Sequence, residues 1–345
     1  MFMQFHPLRK LLRNAVFFLL SAILCFSTFA PLPRTEPTVK NKDTGDFFLP
    51  DYGKTHVAAH RMGKSLGPDN TMLALKKSLE SKTPPDIIES DVQITADGEL
   101  VLYHDLYLEK RTDSEKVFGR KHVTVFSKTY DQLRELNMGE KYESGGAYPY
   151  AGLHGDDLPD DLRIPKLADM IDYAESTAPG QFRYILEIKY PFPWAVKIID
   201  KLYAILDERD MTDRVIAARF WPDVSHYIDL RYSGKLMRSA NPLEVLDFFG
   251  CFKRGTDLSD EAFPFMALQM PYYWENDKLM LATLGQTAFI DYAHQYGISV
   301  QYYTLSDTND IRDLYIGGAD VLMTNNPGKV YSVFREEQNS QEALS

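Results

Sequence analysis

The second half of this chain alternates regularly between short apolar strands and helices with one apolar face. Predicted strands fall at 184–190, 214–220, 235–240, 264–270, 298–305 and 320–324, with helices at 194–208, 222–233, 242–250, 281–296 and 308–317. Strands that alternate with helices form a parallel sheet. Two earlier strands, around residues 57–60 and 87–92, bring the count to eight. Eight is the number that an α/β fold of the (β/α)8 TIM barrel type requires.

The count of eight depends on how a further apolar run, residues 100–104, is read. Ala96-Asp97-Gly98 precedes it and is typical of a hairpin turn. We therefore predict that this run is a hairpin arm rather than a barrel strand. In that hairpin position 91 faces about position 103, so His104 is expected close to Asp91.

The first predicted strand ends at His60-Arg61 and leads into a loop with two glycines and a proline. A helix is predicted to begin after this loop at Asn70-Thr71, with Asn70 as its N-terminal cap. Pro165 is similarly predicted as the first residue of a later helix.

Two pairs of charged residues stand two positions apart on predicted strands, so the members of each pair point to one side. They are Glu89 with Asp91, and Glu187 with Lys189. Neighbouring carboxylates repel each other unless a cation lies between them. Three carboxylates without cysteine or histidine favour a hard ion, Ca²⁺ or Mg²⁺, over zinc. In a TIM barrel the active site lies at the carboxyl ends of the strands, where these residues fall.

The ordered series of motifs resembles the glycerophosphodiester phosphodiesterase family over residues 55–330, most of the chain. The family pattern is His-Arg-Gly, Pro-Glu-Asn-Thr, Glu-x-Asp, Asp-Gly, His-Asp, Leu-Glu-Ile-Lys, Trp-Thr and Thr-Asp-x-Pro. The matching stretches are His60-Arg61-Met62, Pro68-Asp69-Asn70-Thr71, Glu89-Ser90-Asp91, Asp97-Gly98, His104-Asp105, Leu186-Glu187-Ile188-Lys189, Tyr303-Thr304 and Thr324-Asn325-Asn326-Pro327.

The resemblance implies that His60 and His104 are catalytic and that Glu89, Asp91 and Glu187 bind the metal ion. Imidazole titrates near neutral pH and suits an acid or a base, but spacing leaves open which histidine has which role. The resemblance also implies attack by the glycerol 2-hydroxyl. Arg61 suits phosphate oxygens through its forked donors, and Lys189 as a point charge.

Four positions depart from the family pattern. Met62 replaces Gly, Asp69 replaces Glu, Tyr303 replaces Trp and Asn325 replaces Asp. None of them removes a predicted metal ligand or histidine. They are therefore expected to affect the path of the first loop and the choice of substrate.

The leading functional hypothesis is metal-dependent hydrolysis of glycerophosphodiesters to glycerol 3-phosphate and an alcohol. Two alternatives remain: lysophospholipase D or phospholipase C type action on membrane lipids, and a non-catalytic binding barrel. Trp194, Trp274 and Tyr303 follow or end predicted strands near the mouth. They either pack loops there or form an apolar wall that contacts the substrate, including a lysophospholipid chain.

Bulk properties limit the choice of partners and compartment. The formal net charge is −11, which disfavours nucleic acid as a partner. The two cysteines, Cys25 and Cys251, exclude a disulfide framework.

Residues 1–30 combine basic residues with an apolar run at 15–30, typical of a signal peptide or a membrane anchor. Such a segment predicts a barrel on the periplasmic or extracellular side, next to a membrane surface. We assign 31–53 to a linker, 54–335 to the barrel with an insertion at 112–164, and 336–345 to a tail.

Overall fold

The computed structural model of the protein describes residues 54–190, 193–219, 221–272 and 287–342. The predicted N-terminal signal or anchor and the linker up to residue 53 lie outside these ranges, as does the start of the helix predicted at 281–296. No helix within the described ranges has both the length and the apolar character needed to cross a membrane.

The described strands form one sheet around a barrel. They are β1 His56–Ala59, β2 Ile87–Ile94, β3 Leu100–Leu102, β4 Arg183–Ile188, β5 Val215–Ala218, β6 Met237–Arg238, β7 Ala267–Pro271, β8 Ser299–Leu305 and β9 Val321–Thr324. Eight are parallel neighbours in the order β6-β5-β4-β2-β1-β9-β8-β7. A bridge between Ser239 and Ala267 nearly closes the ring. The predicted (β/α)8 TIM barrel is therefore confirmed.

Helices surround this sheet, and short helices fill the predicted insertion. They are α1 Met72–Leu79, α2 Ser114–Phe118, α3 Tyr130–Arg134, α4 Leu167–Thr177, α5 Trp194–Glu208, α6 Pro222–Tyr232, α7 Pro242–Arg254, α8 Thr287–Gln295, α9 Thr308–Ile316 and α10 Pro327–Glu342. Pro165 was wrongly predicted to open a helix: α4 begins at Leu167 with Lys166 as its cap residue. The strands predicted at 235–240 and 264–270 shorten to β6 and β7.

Side chains alternate between the inside and the outside of the barrel. On β2, Ile88 and Val92 belong to the outer core with the helices, whereas Ile87 belongs to the interior cluster. The odd-numbered residues Glu89 and Asp91 thus share the inward side, above Ile87. Alternation points both carboxylates into the barrel, and their place in β2 puts them near its carboxyl end.

The hairpin predicted at residue 100 is confirmed. Among the described strands β3 pairs with β2, antiparallel, and Val92 lies opposite Leu102; a single further bridge joins Val101 to Lys166. The amide of Tyr103 donates to the carbonyl of Asp91 at 2.9 Å, which is the predicted register. The insertion that follows has its own apolar cluster, which includes Val101, Tyr103 and Leu133, so it packs on the hairpin.

Candidate active site

The three predicted metal ligands converge at the carboxyl end of the barrel. Asp91 on β2 is the strand neighbour of Glu187 on β4, and Glu89 lies one inward position below Asp91. Glu89, Asp91 and Glu187 each offer an oxygen atom within 4.8 Å of the others. Burial and then the charge of Asp91 raise the pKa of Glu89 well above its ordinary value. Three carboxylates this close together repel one another unless cations lie nearby.

Two cations, Arg61 and Lys189, contact these carboxylates. Lys189 Nζ lies 2.9 Å from Asp91 Oδ1 and 2.8 Å from Glu187 Oε1. Lys189 and Glu187, which were predicted to point to the same side of their strand, therefore also form an ion pair. Arg61 Nε lies 3.5 Å from Asp91 Oδ2, and its backbone amide donates to Glu89 at 2.6 Å. Burial opposes ionisation of Asp91, but Lys189, His104 and Arg61 together hold its pKa below the ordinary value.

The turn after β1 holds Arg61 in an uncommon backbone conformation. Arg61 and Met62 have φ values of 50° and 65°, in the left-handed region that favours glycine. The Arg61 amide is bonded to Glu89, and its carbonyl accepts from the Asn70 amide at 3.1 Å. Met62 replaces the family glycine and is fully buried in the outer core, which offsets the cost of this conformation.

Asn70 is a site residue that sequence reasoning assigned wrongly. Thr71, rather than Asn70, caps α1 by accepting from the Ala74 amide. Asn70 is fully buried, and its Nδ2 donates to Asp91 Oδ2 at 2.7 Å. Its Oδ1 accepts from the Ser90 hydroxyl and from the Asp91 amide, at 2.7 and 3.2 Å. The side chain of Asn70 therefore orients Asp91 by bonding to both the carboxylate and the backbone amide of Asp91.

Asn70→Ala is expected to lower the free energy of unfolding by about 2–3 kcal/mol, because it leaves buried groups of Ser90 and Asp91 without partners. Urea unfolding of the full-length protein measures this. Asn70→Asp keeps the shape but replaces the Nδ2 donor with a carboxylate that faces Asp91, so we expect at least as large a loss. An Ala variant within about 0.5 kcal/mol of the wild type would contradict the orienting role.

His60 stands at the end of β1 and bonds to Asn325 beyond β9. Its Nδ1 lies 2.7 Å from Asn325 Oδ1. Since an amide oxygen only accepts, Nδ1 carries the proton in this arrangement and Nε2 is left with a lone pair. Burial and then the charge of Arg61 lower the pKa of His60 to about 4, against the raising effect of Asn325. The imidazole is therefore neutral at neutral pH.

His104 follows the hairpin arm β3, as predicted, and lies within electrostatic reach of Asp91. Its Nδ1 is 3.3 Å from Asp105 Oδ1. Arg111 Nε in turn lies 2.7 Å from Asp105 and 3.6 Å from Asp69, and Asp69 accepts from Arg61 at 2.8 Å. A chain of ion pairs thus links the two histidine-bearing loops.

The predicted aromatic residues separate in the structure. Tyr303 on β8 packs on the interior cluster, where burial and then the charge of Glu187 raise its pKa, so its phenol is near the carboxylates. Trp194 opens α5, and its ring lies 5.3 Å from that of Phe126 in the insertion. Trp194 thus packs against the insertion at the start of α5. Trp274 lies outside the described residues.

The donor set fits a divalent cation. The three potential ligands are all carboxylates, two of them are buried, and burial and then the charge of Asp91 raise the pKa of Glu89. Oxygen donors of this kind suit hard ions. Among the described residues this is the one group of three potential ligands close enough to share an ion.

Fold and site together define a barrel enzyme with acidic, cationic and imidazole groups at its mouth. The profile of the glycerophosphoryl diester phosphodiesterase family matches residues 60–329. The chain belongs to this family of phosphodiester hydrolases, which generally use a divalent metal ion.

Individual relatives agree with the family assignment. The uncharacterized protein YqiK of Bacillus subtilis is 27% identical over 82% of this chain and all of its own length. A glycerophosphodiester phosphodiesterase of Caldanaerobacter subterraneus is 31% identical, over 50% of this chain and 60% of its own. The solved structure of an Oleispira antarctica phosphodiesterase, in complex with its product sn-glycerol-3-phosphate, has a TM-score of 0.58 at 18% identity. The match covers 82% of this chain and 97% of that one.

Proposed function

We propose that this protein hydrolyses glycerophosphodiesters to glycerol 3-phosphate and an alcohol, with a divalent ion and two histidines. The observation that carries the proposal is the meeting of Glu89, Asp91 and Glu187 with Arg61 and Lys189 at one end of a family barrel. Three carboxylates and two cations leave this group with one net negative charge, and Asp69, which pairs with Arg61, adds another. A divalent ion would neutralise this charge and allow the anionic phosphodiester to approach.

The predicted ligands Glu89, Asp91 and Glu187 would hold Ca²⁺ or Mg²⁺. When bound, the ion neutralises charge on the phosphodiester and polarises it. Arg61 and Lys189 bind the remaining phosphate oxygens, the first through its forked donors and the second as a point charge. Asn70 keeps Asp91 oriented throughout.

The geometry favours His60 as the base and His104 as the acid. His60 is neutral, and its bond to Asn325 leaves Nε2 free to take the proton from the attacking hydroxyl. The glycerol 2-hydroxyl oxygen forms a bond to phosphorus as the bond to the alcohol oxygen breaks, which gives a cyclic phosphate. His104, next to the carboxylate of Asp105, donates its proton to that leaving oxygen. A water molecule then attacks phosphorus, and the bond to the 2-oxygen breaks to give glycerol 3-phosphate.

A direct assay tests this function. The full-length protein is incubated with glycerophosphocholine, glycerophosphoethanolamine and glycerophosphoglycerol, with Ca²⁺, Mg²⁺ or a chelator, and glycerol 3-phosphate is measured. We expect turnover that depends on the added ion. No turnover on any member of the panel with either ion would refute the proposal.

Lysophospholipid hydrolysis is a second candidate, supported by exposed indole rings at the carboxyl end of the barrel. Trp194 is 39% exposed and Trp221 59%, and they follow the barrel strands β4 and β5. Indole rings favour the boundary between lipid and water. The apolar segment at 15–30, proposed as an anchor that keeps the barrel outside the cytoplasm, would hold these rings near a membrane.

Trp194→Ala is expected to raise KM for a lysophospholipid about tenfold more than for glycerophosphocholine, because only the lysolipid has a chain to contact the ring. Steady-state kinetics on both substrates measures the ratio. Leu230→Ala is the matched control: Leu230 is 76% exposed near the end of α6, at the opposite end of the barrel. Equal effects of Trp194→Ala on the KM of both substrates would mean that the ring only packs against Phe126 and does not bind the lipid chain.

A further inference from the structure

Both cations of the inner site, Arg61 and Lys189, already pair with carboxylates, so neither is free for a second negative charge on the substrate. Lys189 is held between Asp91 and Glu187, and Arg61 between Asp91 and Asp69. A further anionic group on the alcohol part of the substrate must therefore find its cation outside the inner site.

Lys64 is such a cation, in the turn between β1 and α1. No carboxylate oxygen of the described residues lies within 4.0 Å of its ammonium, and no hydrogen bond of that group is seen among them. Asp69 and Asp105, whose charges attract Lys64, are already paired with Arg111. Burial, then the charge of Arg61, lowers the pKa of Lys64 against this attraction. Half-burial without a partner is unfavourable for an ammonium group, and an anion beside it would relieve this.

The turn holds Lys64 at the mouth by several independent contacts. The Lys64 amide donates to the carbonyl of His60 at 3.2 Å. The amide and hydroxyl of Ser65 both donate to the carbonyl of Asn325, at 3.1 and 2.7 Å. Tyr142 from the insertion donates to the carbonyl of Ser65 at 3.3 Å. The position of Lys64 is thus fixed next to His60 by both the barrel and the insertion.

We propose that Lys64, flanked by Arg111, forms an anion subsite that selects glycerophosphodiesters whose alcohol carries a second negative charge. This proposal rests on the proposed function and adds a substrate class to it. A phosphate monoester or a carboxylate on the leaving alcohol supplies the required chemistry. A neutral alcohol such as glycerol, or a cationic one such as choline, does not.

The test uses the full-length protein and a matched pair of substrates: glycerophosphoglycerol, and the same compound with a phosphate monoester on its leaving glycerol. We expect kcat/KM to be about tenfold higher for the phosphorylated compound, since one partly solvated charge pair gives an effect of this order. Lys64→Gln should reduce this ratio to about one. Lys64→Arg keeps the charge and should retain the preference.

Lys82→Gln is the matched control, because Lys82 is an exposed lysine at the opposite end of the barrel, before β2. It removes the same net charge and should keep the wild-type ratio. A second pair of substrates is glycerophosphoserine, whose alcohol carries a carboxylate, and glycerophosphoethanolamine. If Lys64→Gln also lowers the ratio of kcat/KM for this pair, the subsite accepts anions in general. If the ratio does not change, the subsite is specific for phosphate.

A wild-type ratio near one, or an unchanged ratio in Lys64→Gln, would overturn the subsite while the proposed function stands. Absence of turnover on both members of the first pair would instead overturn the proposed function, and with it the subsite.

Discussion

Asp91→Asn is expected to lower kcat/KM for glycerophosphodiesters by about 10³-fold or more, the largest single effect at this site. Asp91 contacts Lys189, Arg61 and Asn70, and it shares the acidic cluster with two other carboxylates. The isosteric change removes one negative charge from that cluster. Affinity for the divalent ion should fall together with activity.

Two measurements separate loss of the ion from loss of structure. Added Ca²⁺ or Mg²⁺ should raise the thermal unfolding midpoint of the wild type, because a ligand that binds only the folded state stabilises it. The midpoint of Asp91→Asn should respond much less. Asp156→Asn, at an exposed aspartate of the insertion, serves as the control for net charge. Full wild-type turnover in excess chelator would contradict the role of the ion.

The positions of the carboxylates could be predicted because strand geometry is local. Residues two positions apart on a strand point to the same side. This rule puts Glu89 and Asp91 on one side of β2, and Glu187 and Lys189 on one side at the end of β4. Asp97-Gly98 predicted the turn that sets Asp91 opposite Tyr103. These inferences need only alternation and turn chemistry, and both hold in the structure.

The contacts between loops could not be predicted in this way. Asn70 looked like a helix cap, since Asn is favoured at that position, but the chain turns it inward to Asp91 and leaves Thr71 as the cap. The pairing of Asp69 with Arg111 joins the first loop to the segment after the hairpin, 42 positions further along the chain (111 − 69 = 42). The periodicity of apolar residues along the chain does not predict a contact between such distant positions. The contacts of Asp69 with Arg111 and of Asn70 with Asp91 therefore emerged only from the fold.

The departure at Asn325 shows why a motif alone left the roles of the histidines open. Spacing placed His60 and His104 near one site, but gave neither a tautomer nor a partner. In the structure His60 faces an amide and His104 faces the carboxylate of Asp105. The amide oxygen of Asn325 accepts from Nδ1 of His60 and leaves Nε2 as the free atom, whereas Asp105 lies 3.3 Å from Nδ1 of His104.

His60→Ala and His104→Ala should each lower kcat by about 10²–10⁴-fold on glycerophosphodiesters with an alkyl alcohol, the usual contribution of one positioned acid or base. Affinity for the divalent ion should change little, since neither histidine belongs to the carboxylate cluster. His226→Ala is the matched control, because His226 is exposed on α6 outside the mouth. Near wild-type kcat in either variant would make that histidine structural.

A substrate with a better leaving group distinguishes the acid from the base. Glycerophospho-p-nitrophenol releases a phenolate that needs no protonation, so the loss of a general acid should matter little for it. His104→Ala is therefore expected to recover most of its activity on this substrate. His60→Ala should remain about 10²–10⁴-fold impaired, because the attacking hydroxyl still has to lose its proton to the Nε2 atom that the bond to Asn325 leaves free. The reverse pattern would exchange the two roles, and equal recovery of both variants would exclude this division of acid and base.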